Sequence, residues 1–291
     1  MTREAAARLT HIPRFFLWPA MVAALVAVAP AHAQSDKYMA GAMEASAQKA
    51  VASRQTGASP QCAAPRELTR LARPLTRTAR LLAAGDPIRI VAIGSSSTAG
   101  AGASSSDASY PSRLAAELSD RFPDHEITVL NRGVNGEEAR DMLARFETTV
   151  IAERPDLVLW QVGTNTVLRD HPVGSTSSLI EQGIMQLKAA GADVILIDPQ
   201  FAPKVIAKDA LSRMLDLLHW KAKQYNVNLF QRFAVMRHWR ESQGIAFETF
   251  VSPDQLHMND WSYACVAKVL SIAIAEAATR PVASAAARGA R

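Results

Sequence analysis

The fold of this chain follows from one short stretch of sequence and the way in which that stretch recurs. Residues 90–97 read Ile-Val-Ala-Ile-Gly-Ser-Ser-Ser, and the run starts at Ile88. A short run that is rich in β-branched residues and ends at a glycine is typical of a strand buried on both faces. Such strands occur in parallel sheets whose two faces are covered by helices.

The same kind of run recurs along the chain, and segments with a helical spacing of apolar residues separate the runs. The predicted strands are residues 88–93, 127–130, 157–162, 194–197 and 227–230. The predicted helices are residues 65–84, 110–122, 137–152, 178–190, 204–225 and 260–277. This alternation predicts an α/β fold in which a five-stranded parallel sheet lies between two layers of helices.

Three glycines stand directly or shortly after predicted strands, namely Gly94, Gly133 and Gly163. The carboxyl ends of parallel strands meet at one edge of the sheet, and ligands of such sheets bind beyond that edge. We therefore expect segments that are tens of residues apart in sequence to form one site.

Four short segments carry the chemical groups that acyl transfer to serine requires. They are residues 94–97 (Gly-Ser-Ser-Ser), 131–133 (Asn-Arg-Gly), 163–165 (Gly-Thr-Asn) and 254–257 (Asp-Gln-Leu-His). Together they supply a hydroxyl group, an imidazole with a carboxylate three residues away, and further hydrogen-bond donors. Each segment alone is a weak signal, but their combination and order predict a site for ester chemistry.

These segments resemble the blocks of the SGNH, or GDSL-like, serine hydrolases, and the resemblance covers roughly residues 86–278. The family is named for four residues, which correspond here to Ser96, Gly133, Asn165 and His257. Its aspartate, three residues before the histidine, corresponds to Asp254. The resemblance implies a flavodoxin-like three-layer α/β/α sandwich, in agreement with the pattern of strands and helices.

The resemblance also implies a role for each of these residues. Ser96 would be the nucleophile, and His257, oriented by Asp254, would take its proton. The backbone N–H groups of Ser96 and Gly133 and the side chain of Asn165 would form the oxyanion hole. A spacing of three residues on a helical turn would bring Asp254 and His257 together. No metal or organic cofactor is expected.

The chain departs from the usual family blocks at three positions. Ser95 replaces the aspartate of Gly-Asp-Ser, which leaves Ser95, Ser96 and Ser97 as alternative nucleophiles, although the register from Gly94 favours Ser96. Thr166 replaces the aspartate that often follows Gly-Thr-Asn, and Met258 replaces a proline that often follows the histidine.

The sequence disfavours some alternatives to a carboxylesterase or acetylesterase and leaves others open. Residues 94–100 lack the Gly-Lys-Ser/Thr of a phosphate-binding loop. The ordinary α/β-hydrolase elbow needs a glycine where Thr98 stands. A lysophospholipase or thioesterase acting on lipids, an acyltransferase and a non-catalytic module that binds acylated glycans remain open. We expect a small-molecule or glycan ester as substrate, with O-acetylated glycans as the first candidate.

The termini differ from the rest of the chain. Three arginines, an apolar segment over residues 15–29 and Ala31-His32-Ala33 predict a signal peptide over residues 1–33, cleaved after Ala33. A lead-in with an amphipathic helix (34–85), the hydrolase domain (86–278) and a disordered tail (279–291) follow. The protein is therefore expected to be secreted or periplasmic, with no stable membrane insertion after cleavage.

Charge and cysteine content limit the partners. The net charge of +5 falls to +3 without residues 1–33, because three Arg and one Glu are removed, and the basic residues are scattered. No nucleic acid is therefore expected as a partner. The two cysteines of an exported chain predict a Cys62–Cys265 disulfide, with two separate buried thiols as the alternative. The oligomeric state is not indicated.

Four further histidines lack partners at a useful spacing and are expected at the surface or in packing: His125, His171, His219 and His238. Arg169 and His171 closely follow Asn165, so we expect them in a loop that borders the site.

Overall fold

A computed structural model describes residues 62–280 and contains the predicted sheet. Its strands are β1 (Ile88–Gly94), β2 (Ile127–Gly133), β3 (Leu157–Gln161), β4 (Asp193–Ile197) and β5 (Asn228–Phe230). All neighbouring strands are parallel, in the order β2-β1-β3-β4-β5. The predicted α/β fold, a five-stranded parallel sheet flanked by helices, is therefore confirmed.

The register of the strands places the predicted segments at one edge of the sheet. Gly94 at the end of β1 lies directly beside Gly133 at the end of β2. On the other side of β1, Ile93 pairs with Trp160 near the end of β3. The residues that follow these three strands therefore share the carboxyl edge, as the sequence predicted.

Helices of very different length connect the strands. The longer ones are α2 (Thr76–Ala84), α4 (Tyr110–Arg121), α8 (Val173–Ala189), α10 (Leu211–Tyr225), α11 (Arg232–Glu241) and α13 (Asp260–Thr279). The shorter ones are α1 (Arg66–Thr69), α3 (Ser96–Ala99), α5 (Ala139–Ala144), α6 (Phe146–Thr149), α7 (Thr164–Leu168), α9 (Pro203–Ile206) and α12 (Phe247–Phe250). Two 3₁₀ turns span Ser106–Ala108 and Ile151–Glu153.

The core lies between the sheet and these helices. Every residue of β3 is buried, and the Trp160 ring packs edge-to-face on Phe146 with a centroid distance of 5.0 Å. A Cβ at Gly183 of α8 would lie 2.3 Å from the Trp160 ring, so the helix and strand can pack this closely only because residue 183 is glycine. Helix packing on the sheet therefore depends on a small residue facing a large one.

Three predicted helices are divided in the structure. The segment 65–84 forms α1 and α2, separated by residues 70–75, which include Pro74. The residue before a proline is disfavoured in helical conformation, which accounts for the break. The segment 137–152 is divided at Arg145, whose backbone (φ −118°, ψ 6°) lies outside the helical region, and 204–225 is divided between Ile206 and Leu211. No predicted helix corresponds to α11.

A disulfide joins Cys62, ahead of α1, to Cys265 in α13. The pairing predicted from the cysteine count is therefore present, and the alternative of two separate thiols is wrong. The backbone N–H of Leu75 also donates to the carbonyl of Ala277, at 3.1 Å. The disulfide and this hydrogen bond attach the lead-in segment to the last helix.

By length and composition alone, helix α13 is long and apolar enough to cross a membrane, although the sequence predicts no stable membrane insertion. Its burial is that of a core helix, since 67% of its apolar window is buried inside the protein. The predicted signal peptide lies outside the described residues, as does nearly all of the predicted tail.

Candidate active site

Only one of the three serines after β1 is available to a ligand. Ser96 is partly exposed, whereas Ser95 and Ser97 are buried, with exposed fractions of 2% and 1%. The Ser95 hydroxyl donates to Oε1 of Gln161 at 3.0 Å. The Ser97 hydroxyl accepts from Arg232 at 2.9 Å. Both neighbours of Ser96 are therefore held by buried side chains.

The structure brings Ser96 together with the predicted acid–base pair, across 161 residues of sequence. The distance from Ser96 Oγ to His257 Nε2 is 2.8 Å. Nδ1 of His257 lies 2.5 Å from Oδ2 of Asp254. The three side chains form a continuous hydrogen-bonded chain from carboxylate to imidazole to hydroxyl.

Asp254 and His257 meet across a turn, so the expectation of a helical turn is wrong. Gln255, between them, has a left-handed backbone with φ of 62°, which ends any helix at this point. Oδ1 of Asp254 accepts the backbone N–H groups of Leu256 and His257, each at 2.9 Å. The carboxylate therefore orients the loop that carries the imidazole as well as the imidazole itself.

The same contacts set the ionisation of Asp254. Partial burial acts to raise the pKa of this carboxyl, but hydrogen bonds from the His257 ring and from two backbone N–H groups outweigh it. The pKa of Asp254 consequently lies below its ordinary value, and the group is an anion at neutral pH.

The three predicted oxyanion donors differ in their present partners. The Ser96 N–H has no acceptor among residues 62–280. The Gly133 N–H donates to Oδ1 of Asn131 at 2.9 Å, and Nδ2 of Asn165 donates to the carbonyl of Glu137 at 2.8 Å. A side-chain amide carries two N–H donors, so Asn165 keeps a second one. The Gly133 N–H would have to be shared with, or released from, Asn131.

Gly133 is required by the close approach of β2 to α3. A Cβ at this position would lie 2.1 Å from the backbone nitrogen of Ala99 and 2.6 Å from the carbonyl carbon of Thr98. No side chain fits in that space, because the neighbouring atoms belong to the backbone. The glycine therefore positions the helix that begins with Ser96.

The loop beside Asn165 contains an ionic cluster that the sequence did not reveal. Glu138 accepts from Arg169 at 2.6 Å and from Thr166 at 3.0 Å, and its carboxylate lies 3.0 Å from Nδ1 of His171. Burial acts to raise the pKa of Glu138, but these hydrogen bonds hold it below its ordinary value. Arg169 and His171 lie in the loop between α7 and α8, and their partner is 31 and 33 residues away in sequence.

A cavity of about 280 Å³ opens beside this cluster. Polar and charged side chains contribute most of its wall, namely Glu138, Arg140, Asp141, His171, Ser175 and Thr176. In residues 62–280, no group of three or more His, Cys, Asp or Glu side chains is arranged to hold a metal ion.

The chain belongs to the non-GDSL lipase-like family, whose model matches residues 61–280, or 220 of the 291 residues. This match supports the predicted resemblance to GDSL-like hydrolases.

Two characterised relatives are esterases. An arylesterase from Vibrio mimicus is 32% identical over 95 residues, which are 33% of this chain and 46% of that protein. An acetylxylan esterase from Geobacillus stearothermophilus is 42% identical over 50 residues, 17% of this chain and 23% of that protein. The chain therefore aligns with less than half the length of either relative.

A solved structure supports the fold. A two-domain esterase active on acetylated mannans, co-crystallised with mannopentaose, superposes with a TM-score of 0.60 at 22% identity. The superposition covers 75% of this chain and 58% of that one. At this identity the likeness concerns the arrangement of strands and helices.

Proposed function

We propose that this protein is a serine ester hydrolase of the SGNH type that removes small acyl groups, acetyl first, from O-acylated glycans. The observation that carries the proposal is the chain of hydrogen bonds Asp254–His257–Ser96, with distances of 2.5 Å and 2.8 Å. Serine becomes a nucleophile only when a base can take its proton, and His257 is placed to do so.

The first half of the reaction forms an acyl-serine. Ser96 Oγ attacks the ester carbonyl while its proton passes to Nε2 of His257. The Ser96 N–H and the second N–H of Asn165 donate to the developing oxyanion, and Gly133 contributes if its N–H leaves Asn131. Each such donor contributes about 3–4 kcal/mol to stabilisation of the transition state. His257 then donates the proton to the departing alcohol.

The second half releases the acid. Water enters, gives a proton to His257, and attacks the acyl carbon, after which Ser96 recovers the proton. Asp254 keeps the imidazole in the productive tautomer and stabilises the imidazolium that forms in each half. Apart from the ester and water, every group that takes part in these steps is a side chain or backbone group of this chain.

The choice of substrate is supported by relatives and by the surroundings of the site. Two of the proteins described above are esterases whose names refer to acetylated xylan or acetylated mannan. The polar cavity beside Glu138, whose lining includes none of Ser96, Asp254 and His257, offers donors and acceptors of the kind that sugar hydroxyls require. A secreted or periplasmic location fits the Cys62–Cys265 disulfide and the signal-like N-terminus.

The test is hydrolysis of p-nitrophenyl acetate and butyrate by the purified protein and by Ser96→Ala. We expect Ser96→Ala to lower kcat by about 10⁶-fold, because loss of the nucleophile removes the acyl-enzyme route. The matched control is Ser105→Ala, an exposed serine in the following loop, which should leave kcat unchanged. A Ser96→Ala protein that is folded and fully active would contradict the proposal.

The substrate class needs a second assay. Acetate release from acetylated xylan and acetylated mannan is compared with acyl release from a lysophospholipid, and the expected order is glycan over lipid. A clear preference for the lysophospholipid would favour the lipid hydrolase instead. Transfer of acetyl to an added sugar, rather than to water, would favour the acyltransferase.

A further inference from the structure

A buried arginine lies behind residues 95–97, here called the nucleophile loop, and has no role in the mechanism above. Arg232 is the first residue of α11, two residues after the end of β5, and its exposed fraction is 0%. A buried guanidinium is costly unless its N–H groups are hydrogen-bonded, so its partners indicate what it does.

The guanidinium of Arg232 makes three hydrogen bonds. Nε donates to the carbonyl of Asp198 at 3.0 Å, and Nη1 donates to the Ser97 hydroxyl at 2.9 Å. Nη2 donates to Oε1 of Gln200 at 3.1 Å. One planar group therefore connects the end of β4 with the residue next to Ser96.

Gln200 extends these contacts to the other two catalytic segments. Its Oε1 also accepts the Thr164 hydroxyl at 3.1 Å, and its Nε2 donates to the carbonyl of Leu256 at 3.2 Å. Gln200 is itself buried, with an exposed fraction of 1%. Thr164 precedes Asn165, and Leu256 precedes His257. Together with the contact to Ser97, Arg232 and Gln200 therefore touch a direct neighbour of Ser96, of Asn165 and of His257.

Arg232 also places a buried positive charge at this position. Among residues 62–280, Arg232 forms no salt bridge with a carboxylate. Its charge acts to lower the pKa of Asp198, against the larger effect of burial. Burial lowers the pKa of Arg232 itself, but a guanidinium stays protonated at neutral pH. A cation held in this place would also favour negative charge on Ser96 and on the oxyanion.

We propose that Arg232 and Gln200 are positioning residues, which hold the segments of Ser96, Asn165 and His257 in register for catalysis. The proposal rests on the proposed function, because it assigns a role within the same site. A purely structural role for the pair would stabilise the fold equally but would leave the turnover of folded enzyme unchanged.

The test separates these roles with variants that keep the cation. Ser97→Ala removes one hydrogen bond to the nucleophile loop, and Gln200→Met removes the links to Thr164 and Leu256. We expect each to lower kcat for p-nitrophenyl acetate by about tenfold to a hundredfold with KM within twofold, because small misplacements of reacting groups have effects of this size. Ser271→Ala, a buried serine whose hydroxyl donates to Lys268 O, is the matched control with kcat unchanged.

A double-mutant cycle tests whether Ser97 acts through Arg232. Arg232→Lys keeps a charge but cannot supply three N–H donors in one plane. We expect Ser97→Ala, which lowers kcat about tenfold or more when Arg232 is present, to change kcat less than twofold in the Arg232→Lys background. Ser271→Ala should change kcat in neither background. If Arg232→Lys fails to fold, Ser97→Ala and Gln200→Met still distinguish a positioning role from a purely structural one.

Two outcomes would overturn different claims. Wild-type kcat in folded Ser97→Ala and Gln200→Met, with only a lower melting temperature, would show that the pair is merely structural. A wild-type protein that hydrolyses no ester would instead overturn the proposed function. The rate at which a fluorophosphonate labels Ser96 gives an independent reading of nucleophile reactivity and should fall in parallel with kcat.

Discussion

The contact between Gly133 and α3 gives the sharpest test of how Ser96, the proposed nucleophile, is placed. In Gly133→Ala, the new methyl group would lie 2.1 Å from the nitrogen of Ala99 and 2.6 Å from the carbonyl carbon of Thr98. Both are backbone atoms, so no change of rotamer can relieve the overlap. Either α3 or the end of β2 must move.

The size of that movement sets the expected effect. Ordinary contact begins near 3.4 Å, so a separation of 2.1 Å requires a shift of about 1.3 Å. Because Ser96 is the first residue of α3, the shift alters its 2.8 Å contact with His257. A misplacement of about 1 Å costs on the order of 10²-fold in rate, and overpacking costs about 1–3 kcal/mol of unfolding free energy.

The assay is kcat for p-nitrophenyl acetate, with urea unfolding to confirm that the variant is folded at the assay temperature. Gly174→Ala is the matched control, since no heavy atom lies within 4 Å of its Cβ position and its backbone is not left-handed. It should keep wild-type kcat. A folded Gly133→Ala with kcat within threefold of wild type would refute the reasoning, because the nucleophile would then tolerate the displacement.

Three further perturbations have defined outcomes. Asp254→Asn presents an amide to the imidazole and favours the wrong tautomer, so kcat should fall by about 10⁴-fold; a fall of less than tenfold would speak against the assigned role. Burial raises the pKa of Asp198 to about 7, above its ordinary 3.8, so the folded state holds a proton that the unfolded state loses between these values. The free energy of unfolding should therefore fall from about pH 4 to pH 7, by on the order of 4 kcal/mol relative to Asp198→Asn, and equal slopes in urea titrations would contradict this. Replacing Cys62 and Cys265 by alanine opens a link across 203 residues and should lower the unfolding free energy by about 2–5 kcal/mol; a loss under about 1 kcal/mol would exclude a stabilising role for the disulfide.

The sheet could be predicted because its signal is local. Each strand is a short apolar run, and a glycine at the end of β1 and of β2, or shortly after β3, marks where the run ends. Helix boundaries are harder to predict than strands, because apolar spacing continues across breaks that depend on single residues, such as Arg145 and the residue before Pro74. Sequence periodicity records which face is buried but does not record where the backbone turns.

The candidate site also has parts that the sequence predicts and parts that it does not. Ser96, Asp254 and His257 could be named because they stand in short recognisable segments, although their contact arises from a turn at Gln255 and not from a helix. The role of Arg232 could not be predicted from the sequence, because an arginine that follows a short strand is usually expected at the surface. Its burial is a property of the packed protein.

Contacts between distant segments account for the rest. Glu138 meets Arg169 and His171 across more than 30 residues, and no spacing rule connects them. The occupied N–H of Gly133 is a similar case, because the acceptor is the side chain of Asn131 two residues earlier on the same strand. Both features arise from how the loops at the sheet edge pack on each other.

The central claim is that Ser96 carries the acyl group, and trapping that intermediate tests it most directly. The protein is mixed with p-nitrophenyl acetate, quenched in acid within the first turnover, digested and analysed by mass spectrometry. We predict an acetyl group on Ser96 in the wild-type protein and none at this peptide in Ser96→Ala. An acetyl group on Ser95 or Ser97, or turnover with no acylated serine at all, would contradict the account.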